Sequence, residues 1–374
     1  MHMGYDACQY VGVALQGVCR YAVAMPVQTP SRRSSSAVTM HMVAKHAGVS
    51  PMSVSNVING RRVLPETREA VLRAIEELEY RPNMAARALA SAAAVRIGLL
   101  YNSPESAFVS ALLVGALDAA TRFGAQLLIR RFEDHRTLDD LLTGMVADGA
   151  NGLILPAPYC EAVSETGLIE RLNVPVVALC AGSALVDMAS IRVDDVAAAR
   201  AMTDYLIGLG HRRIGFIRGA HNHRISRTRF EGYRAALMAH GLAFDPTLVV
   251  DGDLSFESGL AATEALVALR DRPSAIFASN DDMAAAAISV AHRRDIRVPK
   301  QLSIAGFDDS PISRKIWPAL TTIRQPIVNM TAMAVENVIE MLGAHIVQPA
   351  EADKIECVEY SLVIRGSTGP FGAR

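Results

Sequence analysis

The side chains placed to do chemistry in this 374-residue chain are hydrogen-bonding groups rather than catalytic ones. Asn280 follows the apolar run AIFAS, and Asp308 follows SIAGF. Tyr101 and Asn102 follow RIGLL, and Phe108 falls in the next loop or first helical turn. If those runs are strands of an open parallel sheet, these residues stand beyond the carboxyl ends, where such sheets bind ligands. An amide, a carboxylate and aromatic rings suit a hydroxyl-rich ligand, which needs donors, acceptors and an apolar face to stack on. Phe108 or Phe256 would serve as that face. Position alone also allows blander roles. Asp281 and Asp282 would cap the helix that follows them, Asp308 would pair across a cleft, and Arg227 or Arg229 would be solvated surface charge.

No G-x-S-x-G elbow, P-loop, G-x-G-x-x-G after a strand or pair of catalytic carboxylates occurs, so no enzyme chemistry is expected. Cys8, Cys19, Cys160, Cys180 and Cys357 are scattered, with no close pair and no histidine cluster at metal spacing. They read as buried or idle thiols of a cytoplasmic protein, and neither a metal nor a cofactor is expected.

A second constellation lies near the front, in VTMHMVAKHAGVSPMSVSNVIN from Val38 to Asn59. Met42, Val43 and Ala47 follow a helical period that breaks at Gly48. Ser50 is suited to cap a second helix with its hydroxyl, and Pro51 to be that helix's first residue. Two short helices crossing at small residues are the pattern of a helix-turn-helix, whose second helix enters the major groove, although any helical hairpin shares it. A third helix is expected from Pro65 to Glu79, with Glu66 and Glu69 near its start and Val71, Leu72, Ile75 and Leu78 on its apolar face.

The charge is divided in the same sense. The net charge is −1, but residues 1–96 carry +5 and the rest −6, as suits a polyanion bound at one end only. No charge-free run reaches the roughly 18 residues of a membrane helix.

Behind the front, strand runs alternate with helix-length segments, the signature of parallel sheets. RIGLLY, AQLLI, GLIL and VPVVAL form one series from Arg96 to Leu179. RRIGFI, TLVV, AIFAS and LSIAGFD form a second from Arg212 to Asp308. The duplication predicts an α/β core of two doubly wound lobes.

Together these motifs resemble the lactose-repressor family of bacterial transcription regulators, from about Val38 to about Gly369. VAKHAGVSPMSVSNVING followed by PETREAVLRAIEELEYRPN is similar to its DNA-binding headpiece, and NMAARALA, Asn83 to Ala90, to its hinge helix. The resemblance implies a headpiece over 38–82, a hinge and linker over 83–94, and a two-lobed, periplasmic-binding-protein-like core over 95–374. The first lobe would take about 95–193 and 324–346, the second about 194–323 and 347–369. Residues 1–37 would be a disordered extension or the product of an upstream start codon chosen in error. No leucine heptad follows Gly369, so a homodimer is implied rather than a tetramer.

The implied partners are double-stranded operator DNA with two pseudo-palindromic half-sites and a small carbohydrate-like effector between the lobes. No membrane is implied. DNA contacts would come from Thr39, from Ser50, Pro51, Met52, Ser53, Ser55 and Asn56 on the second helix, and from Asn59 and Tyr80. In the hinge they would come from Asn83 and Arg87, with Leu89 wedged between base steps in the minor groove. SRTRFEGY places Arg229, SNDDMA Asn280, GFDDSP Asp308 and LTTIRQP Gln325 at effector positions, beside Tyr101 and Phe108.

Two departures bear on specificity. Leu254 stands where relatives carry a cleft aromatic, and Asn56, which prefers adenine, stands where arginine is common. The rivals are a periplasmic solute-binding protein, which would need a signal peptide and no headpiece, and an enzyme on the same core.

Overall fold

The computed structural model describes residues 40–58, 63–78, 80, 95–101, 106–132, 137–164, 166–185, 187–346 and 355–372. Two compact units meet in sequence at Leu89 and Ala90. The expected extension over 1–37 and the hinge over 83–94 lie outside the described residues.

The first unit holds α1 (Met40–Ala47), α2 (Pro51–Ile58) and α3 (Pro65–Glu77). Gly48, at φ 66°, ends α1, and the amides of Gly48 and Val49 turn back to the carbonyls of Lys45 and Ala44. A Cβ at Gly48 would meet nothing, so glycine is there for the left-handed backbone and not for space. Ser50 Oγ accepts from the Ser53 amide at 3.1 Å, which is the expected cap. Val43, Ala44, Val54, Val57, Val71 and Ala74 make the small core. Leu72, expected on the buried face of α3, is instead exposed, and Ala74 takes its place. The helix stops two residues early, where the Tyr80 amide bonds back five residues to the Ile75 carbonyl instead of four.

The second unit contains two six-stranded sheets. One lobe is built from β1 (Arg96–Tyr101), α4 (Ala107–Phe123), β2 (Gln126–Arg131), α5 (Leu138–Ala147) and β3 (Gly152–Pro156). It continues with α6 (Tyr159–Val163), α7 (Leu168–Leu172), β4 (Val176–Leu179) and β5 (Ala189–Arg192). The chain then crosses into α8 (Asp195–Gly208), β6 (Ile214–Arg218), α9 (Arg224–Ala239), β7 (Val249–Asp251) and α10 (Phe256–Val267). After them come β8 (Ala275–Ala278), α11 (Asp281–Arg293), β9 (Ser303–Asp308), α12 (Ile312–Lys315) and β10 (Thr321–Arg324). It crosses back into α13 (Ile327–Gly343), whose Met330, Ala334, Val335 and Val338 pack with Ile97, Leu99 and Leu112 of the first lobe.

Last come β11 (Ile355–Cys357) and β12 (Ser361–Val363), in sheet orders β11-β5-β4-β3-β1-β2 and β12-β10-β9-β8-β6-β7. All pairings are parallel except β10–β12, so each lobe repeats one doubly wound order. The tail departs from expectation. The expected division gives residues 347–369 wholly to the second lobe, but β11 pairs with β5 in the first, and only β12 joins the second. The final crossing therefore lies between Cys357 and Ser361, not near Ile346. The expected strand at Thr247–Val250 starts late, because Asp245 Oδ1 accepts from the Thr247 amide and holds Pro246–Leu248 in a 3-10 turn.

Candidate functional site

In both lobes the strand order reverses beside the first strand, at β1–β3 and at β6–β8, which opens a crevice at the carboxyl ends there. A cavity of about 530 Å³ lies in it, between the lobes. Tyr101 ends β1, Phe108 opens α4, Tyr159 opens α6 and Cys180 follows β4, and all four line the cavity. From the second lobe come Arg229 on α9, Leu254 and Phe256, Asn280 before α11, Asp308 at the end of β9 and Gln325 after β10. All six expected effector residues, Tyr101, Phe108, Arg229, Asn280, Asp308 and Gln325, thus share one wall or another of this space. Phe256 lines it too, and Leu254 does so at φ 76°.

The polar groups are not equally free. Arg229 is almost fully buried, not solvated. Its Nε donates to Asp195 Oδ1 at 2.7 Å, its Nη1 to the Ser279 carbonyl at 2.5 Å, and its guanidinium lies 3.7 Å over the Phe307 ring. Asp308 Oδ1 is 3.8 Å from Arg229 Nη1 and accepts from Gln325 Nε2 at 2.8 Å. Burial pushes the Asp308 carboxyl up to about 6, against the pull of Arg229 and Gln325. Burial likewise raises Asp195, with Arg229 opposing. Asn280, and not Asp281 or Asp282, caps α11, since its Oδ1 accepts from the Met283 amide at 3.0 Å. Its Nδ2 donates to the Leu254 carbonyl at 2.7 Å, holding Leu254 in its left-handed turn. Asp281 turns inward, accepting from Thr322 Oγ1 at 2.6 Å and the Ser310 amide at 2.7 Å.

Sequence reasoning missed several members. Asp195, the buried partner of Arg229, sits in the first turn of a helix, where an acid is ordinary. His223 and Ser310 line the cavity, and His223 Nδ1 and Ser310 Oγ are buried with no hydrogen-bond partner in the structure. Such groups cost free energy unless a ligand or water meets them. Burial, with Arg229 nearby, lowers the His223 imidazole and keeps it neutral. No pattern in GAHNHR marks His223.

In the headpiece, Met52 is 67% exposed on α2, an apolar side chain with no packing task there. Pro51 and Ser53 are half-buried on the same helix, and Ser50 is spent on the cap. Tyr80 packs against the headpiece core, a structural task the DNA-contact expectation did not include. Thr39, Asn59, Asn83, Arg87 and Leu89, and the side chains of Ser55 and Asn56, lie outside the described residues. Among the described residues no helix is long and apolar enough to cross a membrane.

Comparison with known proteins bears on both units. Residues 39–83 match the family described as bacterial regulatory proteins, lacI family, and residues 203–368 a periplasmic binding protein-like domain. The chain is 33% identical over 302 residues to catabolite control protein A of Priestia megaterium, covering 79% of this chain and 90% of that one. It is 32% identical over 340 residues to the HTH-type transcriptional regulator CelR of Thermobifida fusca, covering 88% and 98%.

Among solved structures it is similar to a CelR–cellobiose complex (TM-score 0.65, 28% identity, 88% of this chain and 99% of that one). It is also similar to the lac repressor dimer bound to operator and the anti-inducer ONPF (TM-score 0.67, 26% identity, 89% and 99%). These relatives are regulators and not enzymes, and the headpiece match sets the solute-binding rival aside. Because the likeness runs without a break from a helix-turn-helix through two parallel-sheet lobes, this chain belongs to the lacI family of bacterial transcription regulators.

Proposed function

We propose that the chain is a cytoplasmic repressor that binds its operator as a homodimer and changes its grip when a carbohydrate-like effector fills the interlobe cavity. The observation that carries this reading is the cavity itself, walled by Tyr101, Phe108, Tyr159 and Phe256, with buried, unmatched polar atoms on His223 and Ser310. Aromatic faces with converging donors and acceptors are what a sugar ring requires. Support comes from relatives solved with cellobiose and with operator DNA. Val114 and Leu117 on α4, and Trp317 and Ile364 of the second lobe, are exposed apolar side chains that a second copy would cover. The lobes touch through Arg224 of the second, whose amide donates weakly to Glu161 of the first and whose Nη1 donates to Ser183 Oγ at 2.6 Å, while Glu161 also accepts from the Gly182 amide of its own lobe. A ligand that alters this contact alters the lobe angle, and by that route the operator affinity.

Operator titrations with two variants test the division of roles. Asn56→Ala is expected to weaken specific binding by ~1–3 kcal/mol and to relax preference at one base pair per half-site. Leu89→Ala is expected to lower affinity through DNA bending while major-groove preference is kept. Selection from a random DNA pool separates them, and an identical loss of preference in both sinks the assignment.

The Asp308 carboxyl gives a pH signature. If effector hydroxyls donate to its ionised form, binding lowers its pKa. Affinity is then full above about pH 6 and falls by up to tenfold per unit below it. Stability of the unliganded core responds in the opposite sense. A carboxyl raised above its unfolded value of about 4 gains stability as pH falls from about 6 towards 4. Calorimetric titration across pH 5–8 checks the first, and an Asp308→Asn profile with the same slope as the parent removes Asp308 as its source.

A further inference from the structure

The charges around the cavity are lopsided. Asp253, Glu257, Asp282 and Asp308 line it, and among the described lining residues the one permanent cation is Arg229. That guanidinium is already engaged by Asp195 and the Ser279 carbonyl. Asp308 has Gln325 and Arg229 beside it, and Asp253 accepts from the Ser255 amide at 2.8 Å. Glu257 and Asp282 differ from both, since neither carboxylate has a hydrogen bond or an ion pair with any described residue.

They stand in the first turns of α10 and α11, which pack side by side through Ala262, Leu266, Met283, Ala284 and Ala287. The amide dipoles of both first turns favour negative charge, but they leave the two carboxylates facing the same space unpaired. Burial raises the Asp282 carboxyl, and the nearby charge of Glu257 raises it further. A hydroxyl donated to either would leave that repulsion in place, whereas a cation between them removes it. A metal ion is the poorer fit, because no group of three or more His, Cys, Asp or Glu side chains able to hold one occurs among the described residues. Independently, the unmatched His223 Nδ1 and Ser310 Oγ on the same cavity point to an occupant with polar groups.

We infer that the effector bears a protonated amine held by Glu257 and Asp282, which makes its class the amino sugars and related amine-bearing polyols rather than sugar phosphates or uronates. The inference rests on the proposed carbohydrate cleft and narrows it. A phosphorylated sugar would bring two negative charges into a wall that offers four carboxyl groups and one occupied guanidinium.

Calorimetric titration of the full chain at pH 7 tests it with matched ligands: glucose, glucosamine and glucose 6-phosphate, then cellobiose and its diamino counterpart, the glucosamine disaccharide. At least one amine is expected to bind ten or more times tighter than its neutral match, with the phosphate undetectable. Glu257→Gln and Asp282→Asn are each expected to reduce that preference below twofold. Should Asp282→Asn fail to fold, the exposed Glu257 carries the test alone. Equal binding of amine and neutral sugar, tightest binding of the phosphate, or a melting shift produced by calcium chloride alone overturns the inference while leaving the cleft reading intact. Binding of none of the five removes the carbohydrate reading and this inference with it.

Discussion

Replacing Arg229 with methionine is expected to destabilise the core by about 3–5 kcal/mol, roughly 10 °C in Tm, as well as to abolish the effector response. The guanidinium is 3% exposed and bonded to Asp195 at 2.7 Å, with Asp308 3.8 Å away. Methionine keeps most of the volume over the Phe307 ring but leaves two buried carboxyl groups without a cation. Both then rise further above their unfolded values near 4, so protonation in acid relieves part of the penalty. The gap between parent and variant should therefore narrow as pH falls from 7.5 to 5, and adding Asp195→Asn should restore part of the loss. Below the lowered melting temperature the variant is expected to keep its operator and ignore its effector. A variant that melts with the parent at every pH would show that the ion pair is not holding α9 to α8.

What the sequence made legible follows from how local each signal is. Ser50, Pro51 and Gly48 act within one turn, and the structure finds the cap and the left-handed break at those residues. Buried parallel strands announce themselves as apolar runs, so β1, β3, β6, β8 and β9 could be read directly. β5 could not, because ASIR has no such run, and β11 could not, because IEC is a three-residue edge strand with exposed side chains. The tail's sequence therefore points to one lobe, whereas the tail serves both. Strand ends also put Tyr101, Asn280 and Asp308 at the cavity. Their employment was hidden, since it depends on partners distant in sequence. Asn280 holds Leu254, Gln325 holds Asp308, and Arg229 reaches Asp195. The unpaired Glu257 and Asp282 were hidden for the same reason, since a first-turn acid looks alike whether or not it has a partner.

Gly232→Val is the second large effect expected, about 2–3 kcal/mol of core stability together with loss of effector binding. Gly232 lies in α9 one turn beyond Arg229, on the face that meets α8. A Cβ there would run into the Val196 carbonyl and stand 2.9 Å from both the Ala199 Cβ and the Arg200 amide nitrogen. Two of those three neighbours are backbone of α8, which cannot swing aside as a flexible side chain would. The helices must part, and Asp195, next to Val196, moves away from the Arg229 guanidinium it now holds. Alanine should show the same effect more weakly, its better helix propensity of about 1 kcal/mol offsetting part of the crowding. Gly144 in α5 is the control, because a Cβ there meets nothing within 4 Å. Gly144→Ala should stabilise by about 0.5–1 kcal/mol through the helix alone. Thermal melts and effector titrations of the three variants decide the matter. If Gly232→Val melts beside the parent and binds effector as tightly, the close approach of α8 and α9 does not set the geometry of the site.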